Sequence, residues 1–276
     1  MTASVLRERH GATLVIRLNK PQARNAFDLE MRQGIAEAVY EARDNHEIRA
    51  VVIAGSGSAF CAGGDLKSLS AEKRSVFADR DRIRRLHVWF RELVNLEKPV
   101  IAAVQGPAFG AGFILALACD FVLATPNTRF CAVFTRVGLV PDLGAFYLLP
   151  RVVGLMRAKE LVFSAREVDA EEARSLGIVY DVVPEEHLLD EALAMAQRFH
   201  GAATQAIGIS KNILNRSFNL DQDTLADLEA AAQAMVMKTD YHHDAVARFV
   251  NKQPRAFDWP ARPKRDSTPV SVLMKA

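Results

Sequence analysis

One stretch of the sequence decides how the fold is understood: Gln105-Gly-Pro-Ala-Phe-Gly-Ala-Gly-Phe-Ile-Leu-Ala-Leu-Ala-Cys-Asp120. It has the pattern of a strand end, a loop of small residues and a buried helix. The first turn of that helix, at Ala111 and Gly112, leaves backbone N–H groups unpaired at the positive end of the helix dipole. A developing oxyanion would be stabilised there. The alternative is that the small residues only allow tight helix packing.

The surrounding segment, residues 100–124, is hydrophobic and long enough to span a bilayer. Gln105, Pro107 and Asp120 interrupt it, and Pro107 would break a helix whose backbone groups must all be satisfied in lipid. We therefore predict a buried strand, a turn and a buried helix, without membrane association. The N-terminus lacks the apolar stretch of a secretory signal, so the sequence predicts a cytoplasmic protein.

Outward from this stretch, short apolar runs of strand length alternate with helical patterns. The strand-like runs are residues 14–18, 50–54, 100–104, 121–124 and 178–183. Asp28 is expected to cap a helix that ends near Asp44, and Asp169 has the pattern of another helix cap. Beyond about residue 190 we expect helices, at residues 220–240 and 243–252. The sequence thus predicts an α/β fold whose last quarter is helical.

The composition excludes several classes of protein. Half of the 276 residues are hydrophobic and a quarter are charged, which excludes disorder and allows a sizeable core. The 35 basic and 33 acidic side chains leave a net charge of +2, which gives no indication of nucleic-acid binding. Cys61, Cys119 and Cys131 have neither paired spacing nor a nearby histidine cluster, so we predict buried free thiols and no metal site.

A second glycine-containing segment, Ser58-Ala-Phe-Cys-Ala-Gly-Gly-Asp-Leu-Lys67, follows the strand predicted at residues 50–54. Two adjacent glycines allow a sharp turn, and at Gly64 such a turn can direct a backbone N–H outward without a side chain in the way. The alternative is an ordinary turn between a strand and a helix. Neither glycine segment has the spacing of a P-loop or of a dinucleotide-binding fingerprint.

Together, the two glycine segments resemble one family. The motifs that carry the resemblance are Asn25-Ala-Phe27, Ala59-Phe-Cys-Ala-Gly-Gly-Asp65, Lys98-Pro-Val-Ile-Ala102, residues 106–120, Val137-Gly-Leu-Val-Pro-Asp142, Leu149-Pro-Arg151 and Val153-Gly154. Their order over residues 4–253 is similar to that of the crotonase (enoyl-CoA hydratase/isomerase) superfamily. The resemblance implies a spiral of β-β-α units with a helical C-terminal trimerisation region. It implies a core with the CoA-ester site at 1–195, a helical region at 196–257 and an extended tail at 258–276.

The resemblance also implies a site. Gly64 and Ala111 match the two residues whose backbone N–H groups bind the thioester oxygen. The positions that match coenzyme A contacts are Lys20, Arg24, Ala62, Asp65, Leu66, Phe249 and Lys252. An acyl-CoA thioester is therefore the expected substrate, with no cofactor beyond the coenzyme A that it carries and no metal. The expected assembly is a homotrimer or a dimer of trimers.

The sequence departs from the family at the general acid and base. Ile114 and Phe134 occupy the positions where hydratases of the family carry two glutamates, and apolar side chains can neither donate nor accept the proton. Asp142 matches the catalytic aspartate of family isomerases, and apolar neighbours such as Leu143 are expected to raise its pKa. The alternative is a turn aspartate that caps a helix beginning at Leu143.

The leading hypothesis is therefore an enoyl-CoA isomerase in which Asp142 carries the proton. A hydratase is the second hypothesis, and a non-catalytic CoA-ester or RNA-binding relative is the third, although the near-neutral charge argues against RNA. His87 also matches a histidine of aryl-CoA dehalogenases of the family, or it is a partly buried helix histidine with a structural role.

Overall fold

The computed structural model describes residues 3–65 and 74–259. Its strands are β1 (Val5–His10), β2 (Thr13–Leu18), β3 (Ala50–Gly55), β4 (Val100–Val104), β5 (Pro107–Phe109), β6 (Phe121–Ala124), β7 (Arg129–Cys131), β8 (Glu167–Asp169) and β9 (Asp181–Val182). Its helices are α1 (Leu29–Asp44), α2 (Val76–Val94), α3 (Ala111–Leu117), α4 (Ala145–Val153), α5 (Leu155–Ser164), α6 (Ala170–Ser175), α7 (Leu188–Arg198), α8 (Thr204–Arg216), α9 (Gln222–Val236) and α10 (Asp240–Val250).

The larger sheet has the strand order β1-β2-β3-β4-β6-β9. β1 is antiparallel to β2, and the other neighbouring pairs are parallel. Every residue of β3 and β4 is buried, because a parallel strand covered on both faces is apolar along its whole length. The strands predicted at residues 50–54 and 100–104 are confirmed.

Apolar side chains cover both faces of this sheet. Ile16 and Ile53 belong to the larger core, which they share with apolar residues of α1, α2 and α3. Val15 and Val52, their neighbours in sequence, pack instead in a second core with α7, whose Ala192 is fully buried. This division follows from the strand geometry, in which successive side chains point to opposite faces.

Residues 100–124, considered above as a possible membrane segment, form β4, β5, α3 and β6. The expected strand, turn and buried helix are therefore confirmed. β5 pairs with β7, and β7 with β8, in a small second sheet. Within the described ranges, no helix is long and apolar enough to cross a membrane.

The helix starts expected from local sequence are confirmed. The Asp28 carboxylate accepts a hydrogen bond of 2.9 Å from the Met31 N–H and caps α1. The Asp169 carboxylate accepts one of 2.8 Å from the Glu172 N–H and caps α6. The strand expected at residues 178–183 is much shorter, since only β9 forms there and pairs with β6.

The C-terminal region is helical, as expected, but its helices begin and end at residues other than those predicted. The helix predicted at residues 220–240 ends at Val236, and the Thr239 hydroxyl caps α10 by accepting a bond of 3.2 Å from the His242 N–H. The boundary predicted at residue 195 falls within α7. Neither α9 nor α10 buries any of its side chains in the single chain. Most of the predicted tail, 258–276, lies outside the described residues.

Candidate active site

The two glycine segments run side by side. The Cys61 N–H donates to the Pro107 carbonyl at 3.1 Å, and the Phe109 N–H donates to the Cys61 carbonyl at 2.9 Å. A third segment joins them on the other side, where the Phe27 N–H donates to the Gly63 carbonyl at 2.8 Å. Backbone hydrogen bonds therefore fix the relative positions of three segments that are distant in sequence.

The close approach of the two glycine segments requires glycine at two positions. A β-carbon on Gly112 would lie 2.3 Å from the Cys61 carbonyl oxygen, and one on Gly63 would lie 2.8 Å from the Phe109 carbonyl oxygen. Gly63 also has a φ of +95°, a conformation that residues with a side chain rarely adopt. The same β-carbon position on Gly63 is 3.8 Å from the backbone nitrogen of Ala111. The turn that follows Gly63 thus lies against the start of α3.

The backbone N–H groups of Gly64 and Ala111 both lie at this contact. Among the hydrogen bonds of the described residues, neither group donates to a backbone carbonyl. Ala111 is the first residue of α3, where N–H groups have no acceptor within the helix. Two unused donors at the positive end of a helix dipole can hold a negatively charged oxygen. The structure thus brings together the two residues that the sequence singled out.

A buried asparagine holds the first segment in place. Asn25 is fully buried, and its side-chain amide donates to the Ser56 carbonyl at 3.0 Å and to the Ala59 carbonyl at 2.8 Å. Its side-chain oxygen accepts from the Lys20 N–H at 2.8 Å. Asn25 also has a φ of +55°, which asparagine tolerates better than most residues. Its role is to position the segment that leads into Gly64.

The two positions that carry glutamates in hydratases of the family are apolar and buried here. Ile114 lies in the second turn of α3 and is fully buried, and its N–H donates to the Gly110 carbonyl at 3.1 Å. Phe134 is 8% exposed, and the end of its ring lies 3.8 Å from where a β-carbon on Gly110 would be. Phe134 therefore lies beside the start of α3, next to Ala111, with no proton to exchange.

Asp142 is not the N-cap of a helix, so the expected cap is wrong, but its carbonyl accepts a hydrogen bond of 3.0 Å from the Ala145 N–H in the turn that leads into α4. α4 begins at Ala145, and its N-cap is Gly144, which receives no side-chain hydrogen bond. Leu143, which lies between Asp142 and Gly144, has a left-handed φ of +51°. This conformation costs a residue with a β-carbon about 1 kcal/mol or more. Strained backbone of this kind often accompanies functional side chains.

The surroundings expected for Asp142 are only partly right. Leu143 is 1% exposed, as expected, but the other apolar neighbours are largely exposed, among them Val140 at 73% and Phe146 at 65%. Asp142 is nevertheless half-buried, and burial raises the pKa of its carboxyl above the ordinary value. A carboxylate with a raised pKa is a stronger base.

Three side chains that carry or can carry positive charge act electrostatically on Asp142 and partly oppose that rise in pKa. They are Arg32 on α1, followed by Arg82 and His87 on α2. Their attraction is smaller than the effect of burial, so the pKa of Asp142 remains raised. His87, for which the sequence left two interpretations open, thus lies within electrostatic reach of the candidate base.

Arg32 also contacts the segment that pairs with the turn at Gly64. Its Nε donates to the Phe27 carbonyl at 3.1 Å, and its guanidinium lies 5.6 Å from the centre of the Phe27 ring. Phe27 in turn is paired with Gly64 in an isolated β-bridge. Arg32 therefore contacts the segment that positions Gly64 and also acts electrostatically on Asp142.

Sequence reasoning missed both arginines. Arg32 shares a face of α1 with Ile35, and Arg82 shares a face of α2 with Leu86 and Trp89. The available signal was a charged residue on a face that the helical period predicts to be buried. Charges seldom occupy such positions unless a partner or a ligand meets them.

The residues expected to contact coenzyme A differ from one another in burial and in bonding partners. Lys20 is paired with Asp28 and Glu30, with a nitrogen–oxygen distance of 2.6 Å in each pair. Arg24 is exposed, and its carbonyl accepts from the Ala62 N–H at 2.9 Å. Lys20 must therefore leave or share its carboxylates if it is to bind a phosphate.

Of the remaining expected contacts, Asp65 is half-buried beside Gly64, and Leu66 lies outside the described residues. Phe249, near the end of α10, is 85% exposed. Lys252 follows it, also exposed, with a φ of +55°. The structure thus leaves Phe249 and Lys252 on the surface of the single chain.

Two backbone donors without a backbone acceptor and a half-buried carboxylate are groups that could stabilise an oxyanion and carry a proton. Comparison with known proteins identifies the family of this chain. The sequence model of the family described as enoyl-CoA hydratase/isomerase matches residues 8–260. The chain is 33% identical to 1,2-epoxyphenylacetyl-CoA isomerase of Escherichia coli, over 88% of this chain and 94% of that protein. It is also 33% identical to short-chain-enoyl-CoA hydratase of Clostridium acetobutylicum, over 91% of this chain and 95% of that protein.

Comparison with solved structures gives the same family. The crystal structure of an enoyl-CoA hydratase/isomerase from Cupriavidus metallidurans CH34 superposes with a TM-score of 0.88 at 41% identity, covering 94% of this chain and 98% of that one. The chain belongs to the enoyl-CoA hydratase/isomerase family, the crotonase superfamily, and is an acyl-CoA enzyme. Its similar relatives carry the names of both isomerases and hydratases, so the reaction has to be argued from the site.

Proposed function

We propose that this enzyme isomerises the double bond of an enoyl-CoA thioester, with Asp142 as the base that carries the proton. The observation that supports this most is the state of the Asp142 carboxylate: it is half-buried, caps no helix and has a raised pKa. A base whose pKa approaches the working pH transfers protons most effectively.

The reaction moves one proton between two carbons. The Asp142 carboxylate takes a proton from the carbon next to the thioester carbonyl, and the electrons of that C–H bond move to the carbonyl oxygen as an extended enolate. The N–H groups of Gly64 and Ala111 hold this oxyanion. The electron pair then returns from oxygen, the double bond shifts, and the protonated Asp142 delivers its proton to the far carbon.

Hydration requires more than this site offers. A water must be deprotonated while an acid protonates the α carbon, and family hydratases use two glutamates for these tasks. Ile114 and Phe134 hold the corresponding places, both buried, and neither can position or deprotonate water. A double-bond shift needs only one carboxylate.

The test compares two substrates and two variants. Wild-type enzyme is expected to convert 3-hexenoyl-CoA to the 2-enoyl ester and to hydrate crotonyl-CoA weakly or not at all. Asp142→Asn keeps the shape and removes the base, so turnover should fall by about 100-fold to 10,000-fold with little change in ester affinity. Asp190→Asn, an exposed aspartate in the first turn of α7, is the matched control. Rapid hydration by the wild type, or full activity of Asp142→Asn, would identify Asp142 as a structural residue.

We also propose that no metal or further cofactor takes part, since both oxyanion donors are backbone groups and the base is a carboxylate. Dialysis against a chelator should leave turnover unchanged. Activity that is lost and then restored by added zinc or magnesium would refute this.

We propose, finally, that the enzyme is a homotrimer or a dimer of trimers. α9 and α10 bury no side chain in the single chain, while Phe249 and Val250 are 85% and 70% exposed. Apolar side chains at such exposure are typical of a surface that a partner covers. Lys252 lies beside them and would reach coenzyme A from the neighbouring subunit.

A further inference from the structure

We propose that the acyl group of the substrate carries a second carboxylate, which Arg32 and Arg82 bind. The preferred substrate class is then the monothioester of a dicarboxylic acid. This inference deepens the proposed function, because it concerns the acyl end of the same site. It rests on two half-buried guanidinium groups on adjacent helices.

The first of these groups is Arg32. It is half-buried, and its hydrogen bond is made by Nε alone, to the Phe27 carbonyl. Within the described ranges, its two terminal nitrogens donate to no protein atom. The planar face and fork of a guanidinium suit a carboxylate, which it can bind through two parallel hydrogen bonds.

The second group is Arg82, whose side chain is 23% exposed. Its Nε is buried without a hydrogen-bond partner in the described part of the chain. The nearest carboxylate oxygen belongs to Asp79, 3.6 Å from Nε and half-exposed, which is too far for a hydrogen bond. Asp79 also lies 3.8 Å from Arg74. A buried donor without a partner indicates that an acceptor is missing.

The local charges point to an anion. Burial lowers the pKa of Arg32, and the charge of Arg82 lowers it further, so the two guanidinium groups lie close enough to repel each other. Asp142 faces both of them, but it must accept a proton during the reaction and then carries no charge. While Asp142 is protonated, the two guanidinium groups leave two uncompensated positive charges, and a carboxylate on the acyl group would offset one of them.

The position of the pair distinguishes this anion from the phosphates of coenzyme A. The charges of Arg32 and Arg82 both act on Asp142, the residue proposed to act on the acyl carbons. Of the expected nucleotide contacts, Lys20 is paired with Asp28 at 2.6 Å, and the charge of Asp28 acts on Arg32 less strongly than that of Asp142. An anion at the arginines is therefore carried by the acyl group.

Binding of unreactive esters tests this without any catalytic step. Isothermal titration compares saturated esters that differ only at the far end: butyryl-CoA with succinyl-CoA, hexanoyl-CoA with hexanedioyl-CoA, and octanoyl-CoA with octanedioyl-CoA. The wild type is expected to bind at least one diacid ester about 10-fold to 100-fold tighter than its neutral counterpart. Arg82→Gln should remove most of that preference and leave the affinity for the neutral esters nearly unchanged. Arg32→Gln also removes the hydrogen bond to the Phe27 carbonyl, so it is judged by the loss of the preference alone.

The control is Arg84→Gln, an exposed arginine on the opposite face of α2, which should keep the preference. Equal or weaker binding of all three diacid esters by the wild type overturns the proposal, whether or not the variants fold. So does a preference that survives in both arginine variants. Because saturated esters have no double bond to shift and binding is measured without turnover, these outcomes are independent of whether Asp142 acts as an isomerase base.

Discussion

Replacing Gly112 with alanine tests the oxyanion site by a purely steric change. Gly112 lies inside α3 with ordinary helical geometry, so alanine alone would favour the helix by about 1 kcal/mol. The added β-carbon, however, would lie 2.3 Å from the Cys61 carbonyl oxygen and 2.7 Å from the Cys61 β-carbon. Ordinary contact begins at 3.4 Å, so the two segments must separate by about 1 Å.

That separation moves the Ala111 donor away from the Gly64 donor. A misplacement of about 1 Å costs on the order of 100-fold in rate, and loss of one oxyanion donor costs about 100-fold to 1,000-fold. We therefore expect Gly112→Ala to lower kcat on the preferred enoyl-CoA by about 100-fold or more. Affinity for a saturated ester should change much less, because its carbonyl carries no full negative charge.

The assay is steady-state turnover, with circular dichroism and thermal melting as a check of the fold. Gly201→Ala is the matched control, since its β-carbon would meet its nearest neighbour at 3.7 Å, in ordinary contact. Wild-type kcat in a folded Gly112→Ala enzyme would refute the assignment of Gly64 and Ala111. A variant that melts at the wild-type temperature but turns over slowly would support it.

Three further predictions follow from burial and charge. The pKa of Asp142 is raised in the folded state, so ionisation of this carboxyl opposes folding, and the folded state loses stability as the pH rises above the ordinary pKa of 3.8. Asp142→Asn should therefore melt at a higher temperature than the wild type at neutral pH. Well below pH 3.8 the two proteins should melt at the same temperature. Burial raises the pKa of Cys61 to about 12, so iodoacetamide should label it at neutral pH only after unfolding, and rapid labelling of native enzyme would contradict its position. Phe249→Asp should shift light scattering toward smaller assemblies, whereas an unchanged mass would exclude α10 from the interface.

Local signals explain what the sequence predicted. The caps at Asp28 and Asp169, and the apolar runs of β3 and β4, depend on residues adjacent in the chain, and all four were found as expected. The pairing of Gly64 with Ala111 was predicted from the family resemblance, because two glycine segments in a fixed order are a specific pattern.

The features that the sequence did not predict depend on tertiary contacts. α4 begins later than expected because Leu143 adopts a left-handed conformation, which no local propensity favours for leucine. The arginines near Asp142 come from α1 and α2, and only the packing of those helices brings them together. The exposure of Val140 likewise could not be inferred from its hydrophobicity.

The central claim is that Asp142 carries a proton between carbons and that no water is added. Mass spectrometry of the product formed from 3-hexenoyl-CoA in heavy water tests it most directly, with wild type and Asp142→Asn run in parallel. The account predicts a 2-enoyl ester with no water added, and, in the Asn variant, loss of both the double-bond shift and any deuterium uptake at the far (γ) carbon. A product that has gained one water, or an Asn variant that converts the ester at the wild-type rate, would contradict it.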